Sequence, residues 1–400
     1  MSNIAVLAFS GGLDTSYCAI WLREQGFQVH TVAVDTGGFE GPERDKLMYR
    51  AKELEVAEHQ VIDARKELFD DYLRYLIFAN ATRGGVYPYC VAAERVVQAK
   101  KVAEYANQVG AAAVSHGSTG AGNDQIRFDT AFRIFAPDAQ LVTPIREQAL
   151  SRQDEMSYLI DRGISVQEKT GRYSFNRGLW GTTIGGAETH TSTDSVPDDA
   201  FPTTVSAANW PNNARDIRVT FEAGIPTQID GEAMEPVRLI EMLNELGAAH
   251  GVGRGIHVGD TILGIKGRVA FEAPAAAILL PAHRELEKLV LTSSQMIWKG
   301  TLGEVYGSFL HEARFFDPLT RDIEAFLTSS QRRVRGDVNV RLFAGQASVL
   351  GVTSPHSLMG VQGARYGEES SLWTGPEAAG FGKLYGLQQV LHVRAGKQEG

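Results

Sequence analysis

Two stretches of this chain combine residue types that could handle a nucleotide. The first is Ala8-Phe9-Ser10-Gly11-Gly12-Leu13-Asp14-Thr15-Ser16. Adjacent glycines permit a sharp turn and a close approach of backbone to ligand. Asp14, Thr15 and Ser16 then open a helix, where the first N–H groups lack partners and the dipole favours an anion. That chemistry is a phosphate cradle. A capped turn that binds nothing has no need of so restricted a sequence. The loop lacks the lysine that follows the last glycine of GxxxxGK[ST], which argues against γ-phosphoryl transfer. A cradle for the terminal diphosphate leaves the α-phosphorus open to attack. Adenylation with pyrophosphate as leaving group is the reaction inferred from it.

The second stretch runs from Ser115 to Asp129. Gly117, Gly120 and Gly122 follow a short apolar strand, and Asn123, Asp124 and Arg127 come after them. On a helix, Asp124 and Arg127 share a face. A simple surface ion pair would not need so many glycines beside polar groups.

The elements that must hold these stretches can be read from periodicity. Apolar β-prone runs occur at 4–7, 29–34, 59–62, 111–115 and 141–143. Helical patterns cover 17–25, 42–54, 66–78 and 91–109 between them. Strands alternating with helices predict a parallel sheet covered on both faces, a Rossmann-like α/β domain. Ligands in such sheets sit beyond the carboxyl ends of the strands. Residues 10–16, 34–36 and 116–124 all lie at such ends, so one cleft collects them. From Gly181 to Asp216 the composition turns to Thr, Ser, Asp, Asn and Pro, the mark of a long surface excursion. An α+β region follows. It has hairpins at 216–229 and 338–352, helices over 236–246, 275–291, 302–315 and 321–326, and strand-like pieces at 257–258 and 261–263.

Composition bounds the remaining classes. Apolar residues make up 43% and charged residues 22%, as in ordinary soluble proteins. A net charge of −9 argues against a general nucleic-acid binder. Cys18 and Cys90 lack CxxC spacing and form neither a zinc motif nor a disulfide framework. No signal peptide and no apolar run of about 18 residues is present, which makes the cytoplasm the default and a membrane partner unexpected.

The glycine loop resembles the PP-loop of the ATP pyrophosphatases. The second stretch, together with Gly251-Val252-Gly253-Arg254 and the Lys266, Arg268, Glu272-x-Pro274 pattern, is similar to argininosuccinate synthases, over nearly the whole chain. The resemblance implies ligation of citrulline and aspartate, with ATP cleaved to AMP and pyrophosphate through a citrullyl-adenylate. It also implies Mg²⁺ and a homotetramer. An ATP-binding PP-loop domain would span 1–165, an α+β synthetase and multimerisation domain 166–375, and a C-terminal helix and tail 376–400. By position, Ala8, Phe9, Ser10, Gly11, Gly12, Leu13, Asp14, Thr15, Ser16, Val34, His116 and Gly117 would line ATP. Thr119, Asn123 and Asp124 would bind aspartate. Tyr87, Asn123, Arg127, Ser174 and Thr183 would bind citrulline. Asp14, which also helps place Mg²⁺, Asp124 and Arg127 would carry the chemistry.

Three citrulline positions depart from the family pattern. Cys90-Val91-Ala92 replaces Gly-Thr-Ser, Gly259 stands for a glutamate, and Phe271 stands for a tyrosine. Losing one such hydrogen bond costs roughly 1–3 kcal/mol. Compensation by neighbouring Asp260 is the favoured account, and an N-acylated citrulline as acceptor is the alternative. Two rivals remain outside this chemistry: a PP-loop enzyme that thiolates tRNA, and a nucleotide-binding regulator without catalysis.

Overall fold

The computed structural model describes residues 3–39, 41–166, 172–361 and 372–397. Part of the expected tail, 398–400, and the strips 167–171 and 362–371 of the expected second unit lie outside the described residues.

The N-terminal part alternates as expected. Its elements are β1 (Ile4–Ala8), α1 (Leu13–Glu24), β2 (Gln28–Asp35), α2 (Gly41–Glu53), β3 (Glu58–Asp63), α3 (Arg65–Leu68) and α4 (Arg74–Ala79). A π-helical turn over Phe69–Leu73 joins α3 to α4, so the predicted single helix is one rod with an inserted residue step. Then come α5 (Ala92–Gln108), β4 (Ala113–Ser115), α6 (Asp124–Phe135), β5 (Gln140–Val142), α7 (Pro144–Glu147) and α8 (Arg152–Ile160). The five strands form a parallel sheet in the order β3-β2-β1-β4-β5. Successive side chains of β1 point to opposite faces. Val6 therefore joins one core, while Ala5 and Leu7 join another with Tyr17, Leu22, Leu47 and Leu159. The strand order reverses between β1 and β4, which is where such sheets open a crevice.

The rest is antiparallel sheet and helix. It comprises β6 (Ser174–Gly178), β7 (Gly181–Gly185), β8 (Arg215–Glu222), β9 (Ile225–Ile229), β10 (Glu232–Ala233), α9 (Pro236–Ala249), β11 (Arg254–Asp260) and β12 (Lys266–Glu272). Helices α10 (Pro274–Val290), α11 (Ser293–His311) and α12 (Pro318–Gln331) precede the hairpin of β13 (Gly336–Phe343) and β14 (Gln346–Thr353). The sheets are β10-β9-β8-β13-β14 and β11-β12-β7-β6. Both expected hairpins are present. Two expectations need correction. The predicted excursion begins with an inner strand, because Gly181–Gly185 is hydrogen-bonded on both sides and follows the fully buried Trp180. Thr261–Leu263 is a turn, closed by Thr261 N–H donating to the Ile265 carbonyl at 2.8 Å. Its apolar residues link β11 to β12 and form no ladder.

Backbone joins the two regions. The Leu179 N–H donates to the Thr36 carbonyl at 2.8 Å. A Cβ on Gly37 (φ +88°) would lie 2.6 Å from Leu179 Cβ, and one on Gly38 would lie 2.6 Å from the Arg177 carbonyl oxygen. Only glycine allows this approach. The main core runs on from the parallel sheet through Trp180 to Phe221 and Leu279. The last helices, α13 (Gly375–Tyr385) and α14 (Leu387–Gly396), bury no residue against the chain.

Candidate active site

A cleft of about 1520 Å³ opens at the reversal between β1 and β4. That exceeds the roughly 300–1,000 Å³ of a pocket for one small ligand. Its walls include every residue expected in the site except Ser16: the loop from Ala8 to Thr15, Val34, Tyr87, His116, Gly117, Thr119, Asn123, Asp124, Arg127, Ser174, Thr183 and Asp260.

The glycine loop is held from within. Gly11 sits at φ +69°, and a Cβ there would meet Leu47 Cδ2 at 2.9 Å. Ser16 is turned inward; its hydroxyl donates to the Gly12 carbonyl at 2.7 Å and accepts from Arg50 Nε at 3.0 Å. Helix α1 has no side-chain cap at Gly12, so its first turn keeps N–H groups for an anion. Gly117 closes the other side, where a Cβ would lie 3.1 Å from the Asp14 carbonyl carbon and the Thr15 nitrogen.

Asp14 has the carboxyl of Glu155 beside it. Burial first, and then the Asp14 charge, push Glu155 well above the ordinary carboxyl range. Among the described residues no three His, Cys, Asp or Glu side chains gather into a metal cage. Magnesium is commonly held by one or two carboxylates with substrate phosphates and water, and Asp14 at the loop fits such a site.

Across the cleft, helix α6 begins at the second stretch. Asp124 accepts from Arg95 Nε at 2.9 Å and from Arg127 Nη1 at 2.9 Å. Burial alone would raise its pKa, but the two guanidiniums outweigh it and hold the carboxylate below its usual range. A carboxylate so held is a poor base and a good positioning group. Arg127, only 7% exposed, also donates to the His311 carbonyl. Asn123 Oδ1 accepts from the Ile262 N–H at 2.8 Å, tying the β11–β12 turn to the start of α6. His116 has both ring nitrogens occupied: Nε2 donates to Asp129 at 2.9 Å and Nδ1 accepts from the Ser118 N–H at 3.1 Å. It fixes the strand end and has no ring nitrogen left for a nucleotide.

The acceptor end is reached through Tyr87, Thr183 and β11. The Tyr87 ring lines the cleft, but its hydroxyl donates to the Cys90 carbonyl at 2.7 Å. Tyr89 and Val91 both adopt left-handed backbone, φ 61° and 66°, an outlier for a β-branched residue. Such strain persists where surrounding structure over-determines it, often beside a ligand. Asp260, expected to compensate for Gly259, is held by Lys266 Nζ at 2.7 and 2.8 Å near the exposed strand end. Its carboxylate, which lines the cleft, is therefore already paired with a cation.

Sequence reasoning missed several wall residues. Arg95 bridges Asp124 and Asn176 Oδ1, the latter at 2.8 Å. Its signal was an arginine on the first turn of the helix that follows the Tyr87 segment. His257 stacks on Tyr87, with centroids 5.3 Å apart and planes at 14°, and His311 packs edge-on to the same ring. Both lacked any ligand spacing in the sequence, because β11 and α11 bring them in from far away.

Both parts of the chain match models of one family. The N-terminal HUP-domain model of arginosuccinate synthase matches residues 4–165, and its C-terminal-domain model matches residues 173–392. The chain belongs to the argininosuccinate synthase family. It is 40% identical to the argininosuccinate synthase of Methanocaldococcus jannaschii, with all of both chains covered. It is 38% identical to that of Xanthomonas campestris, over 99% of this chain and 100% of the other. With that of Staphylococcus aureus it shares 37% identity over 98% of each. Membership makes this chain a ligase of the arginine-biosynthesis type with a PP-loop HUP domain, and ATP its co-substrate.

Proposed function

We propose that this protein condenses citrulline with aspartate to argininosuccinate, cleaving ATP to AMP and pyrophosphate through a citrullyl-adenylate. The observation that carries it is the single cleft in which the uncapped N-terminus of α1 faces the Arg95–Asp124–Arg127 group. ATP lies along residues 8–15, Val34 and Gly117, with its terminal phosphates on the first turn of α1, while Ser16 braces the loop from within. Asp14 supplies a protein oxygen for Mg²⁺, an ion that, when bound, offsets charge on the departing pyrophosphate. The ureido oxygen of citrulline attacks the α-phosphorus in line with that departure. The aspartate amine, set by Thr119, Asn123 and Asp124, then displaces AMP from the ureido carbon. Asp124 orients the amine, and its low basicity sends the amine proton to solvent. Arg127 fixes Asp124 from a buried anchor.

The same reading divides the chain into an ATP-binding unit over 1–165, a synthetase and multimerisation unit over 166–375 and a C-terminal segment over 376–400. It makes the assembly a homotetramer in the cytoplasm. Phe381, Leu384, Tyr385, Leu391 and Val393 on α13 and α14 are more than half exposed in the single chain, which supports an assembly through these helices. No helix among the described residues is long and apolar enough to cross a membrane. Thiolation of tRNA is disfavoured, because burial pushes both the Cys18 and Cys90 thiols well up.

The test is release of pyrophosphate from ATP in the presence of citrulline and aspartate, with citrulline labelled at its ureido oxygen. Label recovered in AMP supports the adenylate. Pyrophosphate without labelled AMP would sink that intermediate, and no release with any ureido acceptor would favour the regulator.

A further inference from the structure

The acceptor end of the cleft is short of anions. Of the carboxylates lining it, Asp124 is paired with Arg95 and Arg127, and Asp260 with Lys266. Cations and neutral imidazoles take the remaining places. Arg83 enters with Nη2 donating to the Asp260 carbonyl at 3.2 Å and lying 3.8 Å from the Glu312 carboxylate, while its buried Nη1 has no partner. His257 is held neutral by burial and by Arg83, and its buried Nε2 also has no partner. The bare position 259 is coupled to that ring. A Cβ on Gly259 would lie 2.4 Å from His257 Nε2, so the imidazole fills the space a side chain would need. Phe271 and Ala92 are buried behind this wall, Phe271 packed on the Tyr87 ring, and bring no polar group to it.

An α-ammonium entering this end would meet the Arg83 charge with its unpartnered Nη1, an uncharged imidazole nitrogen of His257, and no free carboxylate to balance it. An ammonium brings donors only and needs acceptors. An acyl substituent removes the charge and brings a carbonyl oxygen, which accepts. Resting on the proposed ureido chemistry, we infer that this subsite receives the acceptor's α-nitrogen uncharged, and that citrulline acylated on that nitrogen is a better substrate than citrulline itself. The reacting atoms are unchanged. The ureido oxygen bonds to the α-phosphorus as the bond to pyrophosphate breaks. The aspartate amine then bonds to the ureido carbon as AMP leaves, and the amine proton passes to water. The acyl group takes no part.

Steady-state pyrophosphate release with ATP, aspartate and either citrulline or Nα-acetylcitrulline tests this. A gain or loss of one charge-assisted contact corresponds to about tenfold or more, so kcat/KM for the acetylated acceptor is expected at least about tenfold higher. An equal or higher value for free citrulline overturns the inference and leaves the ureido reading intact. Release with neither overturns the reading itself. The double substitution His257→Ala with Gly259→Glu frees the space and installs a carboxylate, and is expected to move the ratio about tenfold towards citrulline. Arg83→Gln removes the charge without adding bulk and is expected to move it in the same direction. An unchanged ratio in a folded double variant and in Arg83→Gln removes His257, Gly259 and Arg83 as the source of discrimination.

Discussion

Arg127 is anchored on the backbone of His311, its Nε and Nη2 donating to that carbonyl at 3.1 and 2.8 Å. The contact crosses from α6 to the last residue of α11. It leaves Nη1 for Asp124 and keeps the imidazole neutral: burial and the guanidinium charge push the His311 pKa down to about 2. A lysine has no fork with which to hold two such partners. Arg127→Lys is expected to lose about 3 kcal/mol of positioning interaction, near a hundredfold in kcat/KM for pyrophosphate release. Initial rates over a citrulline series check it.

Tyr87 offers a sharper contrast. Its hydroxyl is spent on the Cys90 carbonyl inside the protein. Tyr87→Phe is expected to lower unfolding stability by about 1–2 kcal/mol, because a buried carbonyl loses its donor. The acceptor KM is expected to stay within about threefold of the parent. A large KM change with unchanged stability would return the hydroxyl to the substrate.

Glu94 sets a pH dependence. Wholly buried beneath Trp180, its carboxyl is pushed up from 4.5 to about 7, chiefly by burial. A pKa raised on folding stabilises fully below the unfolded value, and that contribution is lost as pH climbs through the folded one. Wild-type stability is expected to fall by about 3 kcal/mol from this group between about pH 4.5 and about pH 7, and to be independent of it above that. Glu94→Gln keeps an acceptor for the Trp180 N–H and is expected to remove that part of the slope. Urea midpoints across the range measure it.

Gly37→Ala tests the junction of the two regions. The methyl group would meet Leu179 at 2.6 Å in a left-handed backbone. A loss of about 3 kcal/mol is expected from strain and overpacking together. The rate is expected to fall with it, since the cleft walls meet there.

Ending the chain at Val361 removes α13 and α14, whose apolar side chains have no cover within the chain. The truncated protein is expected to sediment as a smaller species than the full chain while keeping its fold. An unchanged sedimentation coefficient per subunit count would remove these helices from the assembly.

The glycine loop and the alternation of strands and helices in the first half were legible because both are local. Periodicity marks the strands, and Gly11 and Gly12 mark the turn. The Asp124–Arg127 pair was legible for the same reason, being one helical turn. What stayed hidden is long-range. Arg95 and His311 reach Asp124 and Arg127 from other helices, and no spacing announces them. β7 escaped because Gly-Thr-Thr-Ile-Gly has few apolar residues, and its neighbours in the sheet make it a strand. The pairing of Asp260 with Lys266 was hidden for a related reason: it crosses the hairpin from β11 to β12 and no sequence spacing announces it.

The seam of Thr36, Gly37 and Gly38 against Arg177 and Leu179 has a mechanical consequence. Main chain rests on main chain there, with no side chain thick enough to act as a bearing. A side chain at Gly37 or Gly38 would wedge the nucleotide wall away from the acceptor wall, so the spacing of the two walls depends on the absence of two methyl groups.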